Sequence, residues 1–271
     1  MTAFFFGDSQ AHLLGCLHEP APALDRSHGV VLCPPIGQEH IRTHWAMRQV
    51  ALALAKVGFH CLRFDWFGVG DSAGSLAEAS LQRWQENAVL AAQELRDVAR
   101  VRRISLVGLR LGATIAAMAA KRIAPVTLVL WDPILDGAQY VADLRSLHET
   151  LASDSARYWN PRPRHAAGSE LVGFDFGARL LAEIGCVDSA MVADLPQTKV
   201  HLLCSSPASE IERFERRLRE ANHDVRLTHS ELRARWTSNE AVEELLLAGD
   251  AVRTLTSLLT ERAAGSEART V

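Results

Sequence analysis

In the stretch Val107-Gly108-Leu109-Arg110-Leu111-Gly112-Ala113, two glycines stand two residues before and two after a central residue, between an apolar run and a small-residue helical pattern. That spacing lets a strand turn sharply into a helix and pushes the central side chain into a cleft, where a nucleophile is usually displayed. The central residue here is Arg110. A guanidinium stays protonated, offers five donors and no acceptor, and is neither nucleophile nor general base. Acyl-enzyme chemistry at position 110 is therefore excluded. What an arginine does in a cleft is fork a carboxylate or phosphate, or pair with a protein carboxylate such as Glu39 or Asp132. An unpaired buried arginine is costly, so one anion or the other is expected beside it.

Other residues could carry chemistry. Cys33 ends an apolar run, and Ser205 and Ser206 end another; reactive groups of open α/β sheets collect at such strand ends. Each is a candidate for a displaced nucleophile, against the plainer reading of core or loop. His40 and His44, beside Glu39, have metal-ligand spacing but no obvious third ligand, so no metal is expected and an exposed helix start is the better reading.

The elements that must position these groups follow from periodicity. Short apolar runs at 13–17, 29–33, 59–64, 104–107, 126–131, 200–204 and 225–228 read as strands, the first of them at an edge. Helical spacing covers 45–57, 81–99, 113–121, 210–221 and 251–259. Alternation of the two predicts a mostly parallel sheet with helices on both faces. From 137 to 196 the strand rhythm is lost, and this segment is expected to be an inserted lid, with a loop at 158–164. The core is then 1–136 with 197–262, followed by a flexible tail at 263–271.

Composition narrows the class. The chain has 271 residues, 48% apolar and 23% charged, with a net charge of −3, which excludes fibrous and disordered classes and gives no basic excess for nucleic acid. Of 29 basic residues only Lys56, Lys121 and Lys199 are lysine, so a single arginine needs positional support before it means anything. Cys16, Cys33, Cys61, Cys186 and Cys204 lack CxxC spacing and read as reduced, buried thiols. No run is long enough to span a membrane or serve as a signal peptide, and a cytoplasmic location is expected.

With the glycine-flanked Arg110 turn in view, the chain resembles the α/β-hydrolase fold, nearest to serine-aminopeptidase-like hydrolases. Three further stretches carry the likeness: Cys33-Pro34-Pro35-Ile36-Gly37-Gln38-Glu39 looks like the oxyanion loop, Asp65-Trp66-Phe67-Gly68-Val69-Gly70-Asp71-Ser72 is similar to the family's Asp-x-x-Gly-x-Gly-x-Ser segment, and Leu130-Trp131-Asp132-Pro133 fits a strand end. More narrowly, Gly-Leu-Arg-Leu-Gly at the turn resembles hydrolase-like proteins of exosortase systems and bacterial biosynthetic clusters. The resemblance implies a base after the last strand, for which His229 is the candidate, and backbone N–H groups of Ile36 and Leu111 as an oxyanion hole. It implies an acid after the penultimate strand, but no carboxylate precedes Glu210 there, which leaves Asp132 as an alternative acid.

The expectation is thus an α/β-hydrolase-fold protein acting on an acyl or natural-product substrate with an anionic group. In it Arg110 and Glu39 bind substrate, and His229 with Asp132 moves protons. The competing expectation is an inactive pseudo-hydrolase that binds a ligand or a partner protein. No cofactor is expected, and a second copy of the chain or a pathway protein is left open as a partner.

Overall fold

The computed structural model describes residues 1–154, 168–205, 209–230, 236 and 249–261. The expected loop at 158–164, the tail from 263 and Ser206 lie outside these residues.

The described strands form one sheet of eight, with a two-stranded hairpin apart from it. The main-sheet strands are β1 (Thr2–Phe6), β2 (Leu13–His18), β3 (His28–Cys33), β4 (His60–Phe64), β5 (Arg103–Leu109), β6 (Thr127–Trp131), β9 (Lys199–Cys204) and β10 (Asp224–His229). Their spatial order is β1-β2-β4-β3-β5-β6-β9-β10. β1 and β2 are antiparallel, and the six from β4 to β10 run parallel. Every residue of β3 is buried, as a strand covered on both faces requires.

The helices are α1 (Gly37–Lys56), α2 (Leu81–Ala99), α3 (Leu111–Ile123), α4 (Gly137–Ser153), α5 (Ala178–Gly185), α6 (Ser189–Ala193), α7 (Ser209–Glu220) and α8 (Gly249–Thr260). They divide the core in two. One cluster joins the sheet to α2, α3 and α5, and the other joins it to α1 and α8. Alanines along α3 lie fully buried, so their small side chains let α2 and the sheet approach it closely. Ser80 caps α2, its Oγ accepting the Arg83 N–H at 3.1 Å.

Several expectations shift. The strand at 13–18 is not the edge, because Thr2–Phe6 pairs outside it. α1 begins at Gly37, well before residue 45, so His40 and His44 stand inside a helix. Cys186 is exposed rather than buried. Between β6 and β9 the chain inserts α4, a hairpin of β7 (Glu170–Leu171) and β8 (Phe174–Asp175), and then α5 and α6. No helix among the described residues is long and apolar enough to cross a membrane.

Candidate functional site

β5 ends at Leu109 and α3 begins at Leu111, so Arg110 alone makes the turn between them, at φ 54° and ψ −126°. A non-glycine residue there stores about 1–3 kcal/mol of strain. Its flanking glycines make the turn sterically feasible. A Cβ on Gly108 would sit 2.3 Å from the Ala113 Cα, and one on Gly112 would sit 2.2 Å from the Pro34 carbonyl oxygen. The first turn of α3 therefore abuts the loop that leads from β3 into α1. Gly112→Ala is expected to cost about 2–4 kcal/mol in chemical denaturation, because backbone on both sides must give way. A loss under about 0.5 kcal/mol would show that the turn has room to spare.

Ile36, the residue before α1, and Leu111, the first residue of α3, are both buried. Their N–H groups have no acceptor among the described residues. They stand at the two backbone segments that Gly112 brings together.

The side chain of Arg110 does not reach toward a histidine. Its Nε donates to Glu39 Oε1 at 2.9 Å, and Nη1 makes a long contact of 3.5 Å with the Asp132 carbonyl. Of the two protein carboxylates the sequence suggested, Glu39 is the partner. Its carboxylate is reached because α1 starts early enough to turn Glu39 inward. The pair is nearly closed off, with side-chain exposures of 12% for Arg110 and 8% for Glu39. Tyr140 of α4 donates its hydroxyl to Glu39 Oε2 at 3.3 Å. The Arg110 guanidinium also lies 5.0 Å from the Trp236 ring centre and 5.7 Å from that of Tyr140, within cation–π range.

Charge states follow from this packing. Burial pushes the Arg110 pKa down, but Glu39, Tyr140 and Asp132 raise it by more, so the group is held above its ordinary value. Burial, and then Glu39, lift Tyr140 well above the usual phenol range, so it remains a donor at neutral pH.

A narrow pocket of about 20 Å³ opens beside this cluster, lined by Ile36, Glu39, Arg42, Tyr140, Phe176 and Trp236 among others. Arg110 is not in its wall. It stands behind Glu39 and fastens it, so the arginine in the wall is Arg42. The β7–β8 hairpin supplies part of the wall through Leu171 and Val172.

The expected Asp132–His229 dyad does not form. Asp132 Oδ1 accepts the Ser205 N–H at 2.8 Å, and Oδ2 accepts the Trp236 indole N–H at 3.0 Å. At φ 44° Asp132 acts as a turn residue that ties the end of β6 to the end of β9. His229 is the last residue of β10 and is exposed. It pairs in register with Cys204, one strand removed from β6, and has no side-chain partner among the described residues.

The other candidates also separate. Cys33 is fully buried, and burial pushes its thiol pKa far up, which disfavours the thiolate. The Ser205 hydroxyl accepts the Trp131 indole N–H at 3.2 Å in the interior. His40 turns to Asp65, at 3.7 Å, while Glu39 turns to Arg110, so the three residues at the start of α1 do not converge. Among the described residues no group of three side chains could hold a metal ion. Three residues of the site went unnoticed in the sequence: Arg42, Tyr140 and Trp236. Arg42 follows Glu39 by three positions on the same helix face, a signal that appears once the helix start is known.

No family model matches the sequence, and no curated protein matches it. Solved structures do match. Est1E from Butyrivibrio proteoclasticus, solved with ferulic acid bound, aligns with a TM-score of 0.65 at 15% identity, over 95% of this chain and 98% of that one. A thioesterase domain from the curacin biosynthetic pathway aligns with a TM-score of 0.58 at 17% identity, over 96% and 99%. An α/β serine hydrolase homologue from Coxiella burnetii gives 0.56 at 14% identity, over 95% and 97%. Agreement over nearly the whole length of each partner shows that this chain has the α/β-hydrolase fold.

Proposed function

We propose that the protein is a hydrolase-like enzyme for a small acyl compound with an anionic group, acting by direct attack of water and not through an acyl-enzyme on residue 110. The observation that supports this reading is the position of Glu39. Its carboxylate lines the pocket three residues from the Ile36 N–H, and it is fixed from one side by Arg110 and from the other by Tyr140. Each carboxylate oxygen has a second lone pair, so Glu39 can still accept a proton from water.

In this reading the water oxygen bonds to the acyl carbon while its proton passes to Glu39. The Ile36 and Leu111 N–H groups hold the developing oxyanion. Collapse breaks the bond to the leaving oxygen or sulfur, which takes the proton back from Glu39. Arg110 positions Glu39, and Arg42 meets the anionic group of the substrate. A thioesterase and a ferulic-acid complex among the structural neighbours support acyl chemistry on small molecules.

A second reading, a ligand-binding protein without turnover, is favoured by the exposed His229 and the fully engaged Asp132. One assay separates them: hydrolysis of acyl esters and acyl thioesters by wild type, Glu39→Gln and His229→Ala. The expected result is turnover in wild type, kept in His229→Ala and lost in Glu39→Gln. No turnover in wild type leaves the binding reading. Loss in His229→Ala returns the base to that residue.

A further inference from the structure

A second, small cavity, of about 50 Å³, borders a neighbouring face of α1, with His40, His44, Met47, Arg63, Phe64 and Asp65 in its wall. Arg63, on β4, is half-buried, and among the described residues no carboxylate touches it; Asp65 lends its negative charge from beyond 4.0 Å. Its Nε donates to His18 Nε2 at 3.3 Å. A guanidinium never accepts, so His18 Nε2 is the lone-pair nitrogen and Nδ1 carries the proton. Burial, with Arg63 next, lowers the His18 pKa to about 4, so this imidazole is neutral and supplies no counter-charge. Both terminal nitrogens of Arg63 are without a partner among the described residues, and no carboxylate lies within 4.0 Å of it. Asp65, two residues along, is turned to His40 at 3.7 Å and accepts the Asp71 N–H at 3.4 Å. Arg48 adds a second positive charge to the field at Arg63, a smaller effect than that of Asp65.

A half-buried cation with unused donors facing a cavity is an incomplete ion pair. The pocket at Glu39 shows the contrast, since there the buried arginine has its carboxylate. We infer that this second cavity binds an oxyanion, carboxylate or phosphate, carried on a small apolar body: Arg63 forks the anion, His40 and His44 approach it from α1, and Met47 and Phe64 receive the apolar part. The inference does not depend on the reaction proposed for the first pocket.

Calorimetric titration of the full chain with benzoate, phenyl phosphate and uncharged benzamide tests it. One of the two anions is expected to bind with a Kd of order 1 mM or tighter, and benzamide at least about tenfold more weakly. The better anion identifies the head group as carboxylate or phosphate. Arg63→Gln should remove the preference for charge, while Arg219→Gln, an exposed arginine of α7 outside both pocket walls, should keep it. His44→Ala, an exposed position that leaves the fold intact, should weaken the anion several-fold and decides the matter if Arg63→Gln fails to fold. Equal binding of benzamide, or a loss in Arg42→Gln but not in Arg63→Gln or His44→Ala, overturns the inference.

Discussion

Arg110→Ser is expected to yield a protein that unfolds more easily by about 3–5 kcal/mol and still fails to react with a fluorophosphonate, even though its turn then reads Gly-Leu-Ser-Leu-Gly. The stability loss comes from Glu39. Its carboxylate, 8% exposed, loses the guanidinium at 2.9 Å and keeps only the Tyr140 hydroxyl. The missing reactivity has a separate cause. A serine in this turn needs a base to take its proton, and the described residues bring none to it: His229 is exposed on β10, and both oxygens of Asp132 are engaged by Ser205 and Trp236. Thermal or chemical unfolding reads the first effect and probe labelling followed by mass spectrometry reads the second. Labelling at residue 110 would show that a base reaches the turn after all. The double variant Arg110→Met with Glu39→Gln removes both charges together and is expected to recover most of the lost stability, because the penalty belongs to the stranded ion and not to the absence of the pair.

Glu39→Gln should lower kcat by about 10²- to 10⁴-fold, the usual contribution of a general base. The amide keeps an oxygen for the Arg110 Nε–H, so the loss of stability should be smaller than for Arg110→Ser. KM should change little, because Arg42 and the two backbone N–H groups remain. Steady-state kinetics beside denaturant unfolding separates these effects. Turnover within about threefold of wild type would remove Glu39 from the chemistry and leave it as the counter-ion of Arg110.

Much of the fold was legible because the strands between β2 and β6 are short apolar runs separated by amphipathic helices, and the helix at 81–99 was placed residue for residue. The start of α1 was not. Gly37-Gln38-Glu39-His40 follows two prolines and looks polar, so its inward-facing Glu39 breaks the apolar stripe that marks a helix. β1 was missed because most of its side chains face solvent at an edge, where alternation is weak.

For the site, residue chemistry alone showed that Arg110 must meet an anion, and Glu39 was one of two candidates. Choosing between them required the tertiary position of α1. Tyr140 and Trp236 come from segments remote in sequence, and nothing local marks them. His229 was read as lying beyond the last strand, whereas β10 continues through it, and periodicity does not fix a strand's last residue.

The insertion between β6 and β9 has a bearing on how the chain reaches this structure. These two strands are neighbours in the sheet, yet α4, the β7–β8 hairpin, α5 and α6 all lie between them in sequence. Pairing them closes a long loop, which is the kind of contact that slows folding. The entropic cost of closure, however, grows only logarithmically, by about 0.6 kcal/mol for each doubling of loop length. The bond from the Ser205 N–H to Asp132 fastens the loop where it leaves and re-enters the sheet. Length added at exposed stretches of this segment thus carries a small thermodynamic cost, while the Arg110 turn, built on β5 and α3 outside the loop, keeps its geometry.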